Sequence, residues 1–344
     1  MSIEIELAKE DESELWNHIV GSYSHGTIFH LWDWLKIVEE YTGTKLYPLI
    51  GYKGSTPIGV YPLFGKKIKF VKTFFSPPPK ALMLYLGPVI ANYETLKQSK
   101  KVSFFYNFQK EVDEFVFSEL NANYTRIRTS PYLECRPLIW CGYDAKPFYT
   151  YMIRLEKNPE VLWKRLSRKT RVNIEKTKRE GVIVEMGDYN DLDFLRTALY
   201  SRFEEQGFKP TRDYYRKYLD ELYRAFYPEN MKIFVAKQNE ERIGGLVTLN
   251  YRKWTGLWIG IPKTKLAGIY PNDLTQWEAI KWACNEGYEY YELMDSGENP
   301  RLVNYKSNFN PDPVPWYSTV KHSSFVFRVV ERFSRFFKIK ERSA

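Results

Sequence analysis

Alternating and helix-periodic apolar positions in the second half of the chain predict a mixed series of strands and helices. In chain order the predicted elements are a strand at Val182–Glu185, helices at Asp191–Gln206 and Asp213–Phe226, strands at Met231–Lys237, Arg242–Tyr251 and Trp254–Ile261, a helix ending at Gly287, a strand at Tyr288–Met294, a short helix at Pro300–Lys306 and a strand at Val314–Val320. The helix before Gly287 places its apolar side chains on one face, at Leu274, Trp277, Ile280 and Cys284.

The first half shows a similar order of elements. It comprises strands at Ile3–Leu7, Lys45–Tyr52, Ile58–Phe64, Leu84–Ile90 and Tyr124–Thr129, helices at Glu12–Val20 and Leu31–Tyr41, and a long helical stretch within Tyr93–Leu120. The repeated order predicts an internally duplicated α+β fold with no visible sequence repeat. Alternating residues at Phe148–Leu155 predict a strand that joins the two halves.

Length and composition agree with a folded protein of about two domains. The 344 residues are 44% hydrophobic and 27% charged, and the mean hydropathy of −0.48 argues against an integral membrane protein. The acidic amino terminus predicts no secretory signal. The three cysteines, Cys135, Cys141 and Cys284, support neither a disulfide framework nor a zinc site, so we expect a cytoplasmic protein.

The net charge of +9 is concentrated in two stretches of the chain. Residues 164–180 hold eight Lys or Arg and two Glu, and residues 321–344 hold seven and two. Such local basic segments suit contact with an anionic partner, although two solvated helix faces would give the same pattern.

Familiar catalytic motifs are absent from the sequence, including the serine elbow, the phosphate loop, the zinc-binding helix and the dinucleotide turn. The four histidines have no carboxylate or cysteine partner at ligand spacing, and we expect structural or exposed positions for them. We therefore predict neither a metal site nor a catalytic histidine.

The loop and helix after Ile261 form the remaining candidate site. Its expected donor-binding residues are Lys263, Lys265, Gly268, Asn272, Asp273 and Leu274. Asn272 is a good N-cap residue, and the free N–H groups at a helix start, together with two lysines, would suit a phosphate. A solvated turn is the alternative.

A series of motifs runs through the second half of the chain: Trp163-x-x-Leu166-x-x-Lys169-x-Arg171-x-Asn173-Ile174-x-Lys176-x-Lys178-x-x-Gly181-Val182, Gly244-Gly245, Pro271-Asn272-x-Leu274-x-x-Trp277-x-x-Ile280-x-Trp282-Ala283-x-x-x-Gly287, Asp295-Ser296-Gly297 and Tyr305-Lys306-x-x-Phe309. In this order the motifs resemble the Fem-like branch of the GNAT N-acyltransferase superfamily, which includes peptidoglycan-bridge aminoacyltransferases and CelD-like acetyltransferases. The resemblance spans about Ile28 to Tyr317. Asn310 stands where the family motif has Gly, and Ser296-Gly297-Glu298 where a Gly pair is usual.

The resemblance implies two tandem GNAT-like lobes of mixed sheets flanked by helices. We expect an N-terminal lobe over residues 1–147, a catalytic lobe over 148–322 and a basic amphipathic tail helix over 323–344. It also implies an N-acyltransferase that uses acyl-CoA as co-substrate and no metal. Asp295 is then the candidate base or substrate-orienting residue, or merely the cap of its turn, and Lys306 would contact donor phosphate or developing charge.

The expected acceptor is an amine on an amino sugar or a lipid-linked envelope precursor. A first alternative is an aminoacyl-tRNA donor, whose phosphates would follow Arg168, Lys169, Arg171, Lys176 and Lys178. Family members that use tRNA typically carry a long helical arm, and no sustained heptad stretch appears between Gly181 and Gly287, which favours acyl-CoA. A second alternative is a non-catalytic module that binds glycan or nucleic acid.

The carboxyl-terminal segment from Ser323 to Lys340 has a helical apolar face opposite basic residues. The apolar set is Val326, Val329, Val330, Phe333, Phe336 and Phe337. This pattern predicts either a peripheral membrane helix at the inner face or a helix packed on the protein body.

Overall fold

The computed structural model describes residues 3–23, 26–205, 212–260, 268–297 and 299–324. The first part of the chain forms β1 (Glu4–Leu7), α1 (Ser13–Ser22), α2 (Trp32–Thr42), β2 (Lys45–Lys53), β3 (Thr56–Ile68), β4 (Val71–Ser76), β5 (Val89–Ile90), α3 (Gln98–Glu114), β6 (Tyr124–Arg128), α4 (Arg136–Trp140) and β7 (Asp144–Arg154).

The second part of the chain continues the same alternation. It forms α5 (Pro159–Arg165), α6 (Arg168–Arg179), β8 (Ile183–Met186), α7 (Tyr189–Glu205), α8 (Arg212–Phe226), β9 (Met231–Gln238), β10 (Glu241–Tyr251), β11 (Trp254–Gly260), α9 (Pro271–Asn285), β12 (Tyr290–Glu292), α10 (Pro300–Ser307) and β13 (Asp312–His322). Side chains cap the amino termini of several helices. Asn158, before α5, accepts a hydrogen bond from Glu160 N at 3.0 Å, and Ser167, before α6, accepts one from Thr170 N at 3.2 Å.

Two structural units divide the chain. Among the described residues, the first unit takes those up to Phe148 together with residues 315–324, and the second takes those between Tyr149 and Val314. The sequence pattern places residues 315–322 in the second lobe, but β13 pairs with β6, with Ser318 opposite Arg128. That assignment is therefore corrected, because hydrogen bonding rather than chain order decides where the last strand belongs.

The strands belong to one 13-stranded sheet, and each unit contributes a set of strands in the same order. The first runs β1-β2-β3-β4-β6-β13, with β5 beside β3, and the second runs β8-β9-β10-β11-β12-β7. In both, the fourth and fifth strands are parallel, β4 with β6 and β11 with β12, and an antiparallel strand follows. The doubled α+β fold expected from the element order is confirmed. The last strand of the first set, β13, follows the elements of the second unit in the chain, and the last strand of the second set, β7, follows the elements of the first.

Separate hydrophobic cores lie under the two sets of strands. In the second unit, the predicted face of α9 is buried, with Leu274, Trp277, Ile280 and Cys284 all at most 5% exposed. Trp277 packs against Trp163 with ring centroids 5.1 Å apart. Truncating a buried aromatic side chain of this kind costs about 3–5 kcal/mol. In the first unit, the core gathers around α3 with Phe105, Phe108 and Val112.

Two stretches differ from the sequence pattern. Leu84–Ile90 is predicted as a strand, but only Val89 and Ile90 pair with β3 as a strand, because Gly87 takes a positive φ of 74° and Pro88 follows it. The apolar run is buried without regular pairing. β4 is an unpredicted strand whose last four residues are buried. Within the described ranges, no helix is long and apolar enough to cross a membrane.

Candidate active site

The basic helix α6 lies against the start of α9. Asn173 Nδ2 donates a hydrogen bond to Asp273 Oδ2 at 2.7 Å, and Tyr270 N donates to Thr177 Oγ1 at 2.9 Å. Further along, Lys178 Nζ lies 3.1 Å from Glu278 Oε1. The basic segment and the start of α9, two separate features of the sequence, therefore lie side by side in the folded chain.

Lys176 lies beside the loop that leads into α9. A Cβ added to Gly268 would lie 2.6 Å from Lys176 Nζ, and Gly268 has a φ of 76°. The glycine thus allows both the left-handed backbone and the close approach of the ammonium group. An ammonium beside the amino terminus of a long helix favours an anionic ligand, because the helix dipole adds partial positive charge there.

Several predicted donor-binding residues have other roles in the structure. Asn272 is not the N-cap, because α9 begins at Pro271 and Tyr270 occupies the cap position. The amides of Asp273 and Leu274 donate to the Tyr270 carbonyl at 3.1 and 3.3 Å, so the expectation that both are free for phosphate is corrected. Leu274 also packs in the core. Lys263 and Lys265 lie outside the described residues.

Asp273 is a buried carboxyl at the junction of the two helices. Burial raises the pKa of Asp273, while the hydrogen bond from Asn173 and the charge of Lys169 act in the opposite direction. Asp273 is 8% exposed, and its bonded partner is on α6. Its contacts make it a residue that positions α6 rather than one that meets the donor.

The basic residues of α6 remain largely accessible. Arg168, Lys169, Lys176 and Lys178 are exposed and Arg171 is half-buried. Arg171 Nη1 donates to the Lys164 carbonyl at 3.5 Å, a long contact. The helix that packs against the start of α9 therefore carries several accessible cations.

The parallel strands β11 and β12 diverge after a short pairing. Trp254–Gly256 lies opposite Tyr290–Glu292, and beyond that point β11 pairs with β10. The register between β10 and β11 shifts after Val247, so Trp258 is an extra residue on β11. A bulge bends the strand and increases its local twist.

Glu292 is a fully buried carboxylate at the point of divergence. Oε1 accepts a short hydrogen bond from Thr150 Oγ1, and Oε2 accepts from Trp254 Nε1 at 3.0 Å. The side chain thereby links β12 to β7 and β11. No motif in the sequence identified it; the one available signal was an acidic residue among the aromatic and apolar residues of the strand predicted at Tyr288–Met294.

Asp295 and Lys306 come together after β12, as two candidate catalytic residues. Lys306 Nζ donates to the carbonyl oxygens of Met294 at 2.8 Å and Asp295 at 2.7 Å, and lies 5.9 Å from the Tyr151 ring centroid. The Asp295 carboxylate accepts from Gly297 N at 2.6 Å, as the turn-capping alternative predicts. Lys306 is 6% exposed and fixes this turn.

Ser296, in the same turn, carries a polar group with no hydrogen bond. The residue is 5% exposed, and within the described part of the chain its hydroxyl oxygen has no partner. Buried hydroxyls are usually bonded, so this group is available to a ligand that reaches the turn. The described residues contain no cluster of three or more His, Cys, Asp or Glu placed to hold a metal ion.

Comparison with known proteins identifies the second unit. Residues 164–307 match the family model for an acetyltransferase (GNAT) domain. That range contains α6, Gly268, α9, β11, β12 and Lys306. A comparison of the sequence with curated proteins gives no match.

Solved structures share the fold along almost the whole chain. FemX aligns with a TM-score of 0.68 at 14% identity over 91% of this chain and 96% of its own. A tandem GNAT protein from the clavulanic acid biosynthesis pathway gives 0.55 at 7% identity over 94% and 99%. L-PGS from Bacillus licheniformis gives 0.54 at 13% identity over 95% and 98%.

The family match and the structural likenesses agree with the strand order of both units. The match covers the residues that form the candidate site, and the likenesses cover both halves of the duplicated fold. The chain therefore contains a GNAT acetyltransferase domain over residues 164–307, which makes it an acyltransferase, and its fold is similar to those of FemX and of a tandem GNAT protein.

Proposed function

We propose that the second unit transfers an acyl group from acyl-CoA to an amine of an amino sugar or another cell-envelope precursor. The observation that carries the proposal is the position of Lys176 Nζ against Gly268, immediately before the start of α9. Coenzyme A has a pyrophosphate, and an ammonium beside a helix start is a favourable place for one. The GNAT match adds support for a thioester donor.

The reaction forms one bond and breaks another at the same carbonyl carbon. The neutral amine attacks the thioester carbonyl, the C–N bond forms, and the C–S bond breaks as the thiolate leaves. The amine nitrogen gives up a proton and the thiolate takes one up. Catalysis therefore requires a proton acceptor for the amine and hydrogen-bond donors for the carbonyl oxygen as it becomes negative.

Main-chain and side-chain groups at the divergence of β11 and β12 suit these tasks. We assign the oxyanion contacts to main-chain N–H groups of β11 where this strand diverges from β12. Asp295 remains the candidate base or acceptor-orienting residue. Lys306 holds the turn after β12 in place, because its ammonium group donates hydrogen bonds to the Met294 and Asp295 carbonyls.

An aminoacyl-tRNA donor is the second candidate, and the exposed cations of α6 favour it. Four of the five predicted anion-binding residues on this helix are exposed, Arg168, Lys169, Lys176 and Lys178. A row of cations can follow a phosphate backbone as well as a single pyrophosphate. The GNAT match supports a catalytic role over the third alternative, a non-catalytic module that binds glycan or nucleic acid.

Donor binding tests the proposal directly. Acetyl-CoA should raise the unfolding midpoint of the full chain, because a ligand bound only by the folded state stabilises it. In titrations, Lys176→Ala should weaken acetyl-CoA binding about tenfold, the expected loss of one charge-assisted contact. Lys157→Ala removes an exposed lysine of the same unit and serves as the control. Equal affinity for all three proteins would refute the assigned position of the donor.

Salt dependence separates the two donors. Raising salt from 50 to 200 mM should weaken acetyl-CoA binding modestly, since few phosphates are contacted. A tRNA that contacts six or more phosphates would lose about 10³-fold or more over the same range. Protection by charged tRNA with a steep salt slope, and none by acetyl-CoA, would make the aminoacyl donor the correct one.

We also propose peripheral membrane contact through residues 323–340, as the amphipathic pattern predicts. Residues 325–344 lie outside the described residues. Co-sedimentation with anionic vesicles should be weaker for a chain that ends at His322 than for the full chain. Equal binding by both would remove this role from the tail.

A further inference from the structure

The hairpin that joins β3 to β4 exposes apolar side chains at its tip. Phe70 is 92% exposed and Ile68 is 49% exposed. Ile68 pairs with Val71, so Lys69 and Phe70 form a two-residue turn in which Lys69 has a φ of 55°. An aromatic and an aliphatic side chain held together in water at the end of a hairpin indicate a surface for contact with an apolar partner.

Lysines surround this tip and no carboxylate pairs with them. The set is Lys45 on β2 and Lys66, Lys67, Lys69 and Lys72 on the hairpin. The sequence from Tyr41 to Tyr93 contains seven lysines and no Asp or Glu. Across the described ranges, none of the five forms a salt bridge; Lys66 and Lys72 donate to the carbonyls of Thr42 at 3.4 Å and Leu120 at 3.2 Å.

A groove of about 370 Å³ lies between these lysines. Lys45, Lys66, Lys67 and Lys72 line it together with the rings of Tyr47 and Phe74, and Glu119 adds one negative charge. Gly65 allows the two rings to meet, because a Cβ there would lie 2.7 Å from Tyr47 and 3.0 Å from Phe74. The groove is therefore a cationic recess with an aromatic lining, next to the apolar tip.

We propose that the β3–β4 hairpin docks the first unit on an anionic phospholipid surface. Phe70 and Ile68 enter the boundary between headgroups and acyl chains, while the lysines meet lipid phosphates. A lipid surface offers negative charge with an apolar layer beneath it, and apolar burial and charge attraction then act together. A nucleic acid would satisfy the lysines and leave Ile68, which cannot stack on a base as an aromatic ring does. The site involves none of the donor-binding residues and is independent of the proposed reaction.

A fluorescent label at the tip tests the proposal. Phe70→Cys in the full chain is labelled with an environment-sensitive dye and mixed with vesicles of phosphatidylglycerol and phosphatidylcholine. We expect a blue shift of dye emission with these vesicles and none with phosphatidylcholine alone. Trp140→Cys, at a 55% exposed position of the same unit, is the control and should not shift.

The native cysteines interfere little with labelling. Cys135 and Cys284 are buried, and burial raises the pKa of Cys141 to about 11, which keeps its thiol protonated at neutral pH. The parent chain, treated with the same dye, measures any remaining background.

Affinity measurements give the second arm. Phe70→Ser should lower co-sedimentation with phosphatidylglycerol vesicles about tenfold, and Lys67→Glu with Lys69→Glu by about fivefold or more for each lysine. The unfolding midpoints should equal that of the parent, since these side chains are exposed.

Three results would overturn the proposal. A label that does not shift, while the full chain binds vesicles, would assign binding to another part of the chain. An equal shift with duplex DNA would make the partner a nucleic acid. Binding of inorganic phosphate at the lysines, with vesicle binding unaffected by Phe70→Ser, would make this an anion site with no membrane role.

Discussion

Lys306 Nζ donates a hydrogen bond to the main-chain carbonyl of Asp295 at 2.7 Å. The two candidate catalytic residues thus meet through the backbone, and the Asp295 carboxylate turns instead to Gly297 N at 2.6 Å. The ammonium also holds the Met294 carbonyl, in a residue with a φ of 58°. Lys306 therefore maintains an unusual backbone conformation at the end of β12.

Replacing Lys306 with methionine should reduce both stability and activity. The substitution leaves the carbonyls of the half-buried residues Met294 and Asp295 without their donor, and we expect a loss of about 1–3 kcal/mol in the free energy of unfolding. Turnover should fall about 100-fold or more, because the site geometry depends on this turn. Lys281→Met, on α9 and partly exposed, should change stability by less than about 0.5 kcal/mol. Urea unfolding of both variants checks this, and equal stabilities would contradict the anchoring role.

Asp295→Asn separates catalysis from turn capping. The amide oxygen of Asn can still accept from Gly297 N, so the unfolding free energy should change by less than about 1 kcal/mol. Loss of the carboxylate should lower kcat about 100-fold or more if the group takes the amine proton. Turnover within a factor of two of the parent would leave Asp295 as a turn cap alone.

Gly268→Ala should weaken donor binding. Alanine at this position must keep the positive φ of 76°, which L residues rarely adopt. Its Cβ would also lie 2.6 Å from Lys176 Nζ and would displace that ammonium group. We expect about a tenfold increase in the KM for acyl-CoA. Gly287→Ala is the matched control, because Gly287 has a φ of 82° but open space around its Cβ position. It should cost about 1 kcal/mol of stability and leave the KM unchanged. Similar KM values in the two variants would mean that backbone strain, and not Lys176, governs the effect.

Asp273 should make stability depend on pH in the acid range. Burial raises the pKa of Asp273 above the ordinary value of 3.8, so folding favours the protonated carboxyl. The resulting stability is fully present below pH 3.8 and is lost as the pH rises through the folded pKa. The Asp273→Asn variant has no carboxyl to ionise at this position, so it does not lose stability in this way. The free energy of unfolding of the variant minus that of the parent should therefore rise with pH, by at most about 1.4 kcal/mol per pH unit. Exposed Asp312→Asn is the control. A relative stability that falls with pH would contradict this assignment.

A partly buried ion pair in the first unit should show strong coupling. Lys321 Nζ on β13 lies 2.6 Å from Asp113 Oδ2 on α3, and Tyr143 donates to Oδ1 at 2.7 Å. Burial raises the pKa of Asp113 and the Lys321 charge opposes this. Lys321→Met should cost about 3 kcal/mol by leaving a buried carboxyl unpaired, while adding Asp113→Asn should restore most of that loss. Additive effects of the two substitutions would refute the coupling.

Elements with strong periodicity could be predicted from the sequence to within about two residues. The strand predicted at Met231–Lys237 is observed at Met231–Gln238, and the helix predicted to end at Gly287 is observed at Pro271–Asn285. These elements bury one face on a local core, and the pattern of apolar residues records that face. The repeated element order could be seen for the same reason.

Contacts between distant segments could not be predicted. Glu292 is bonded by Thr150, 142 positions earlier, and by Trp254, 38 positions earlier, and no local pattern records such pairing. The pairing of α6 with α9 through Asn173 and Asp273 spans 100 positions. β4 was not predicted, because its buried run is only four residues long and follows an exposed, lysine-rich turn in the sequence.

The ribosome makes β13, the last strand of the first unit, only after the elements of the second unit, and this order has a consequence for folding during biosynthesis. The fifth strand of the first set, β6, ends at Arg128, but its antiparallel partner at residues 318–322 is made about 190 residues later. At ribosomal rates of about 5–20 residues per second, this edge of β6 remains unpaired for roughly 10–40 s before that partner is synthesised. An unpaired edge is a template for wrong strand pairing. Nascent chains that stall before Ser318 should therefore be the ones that require chaperones.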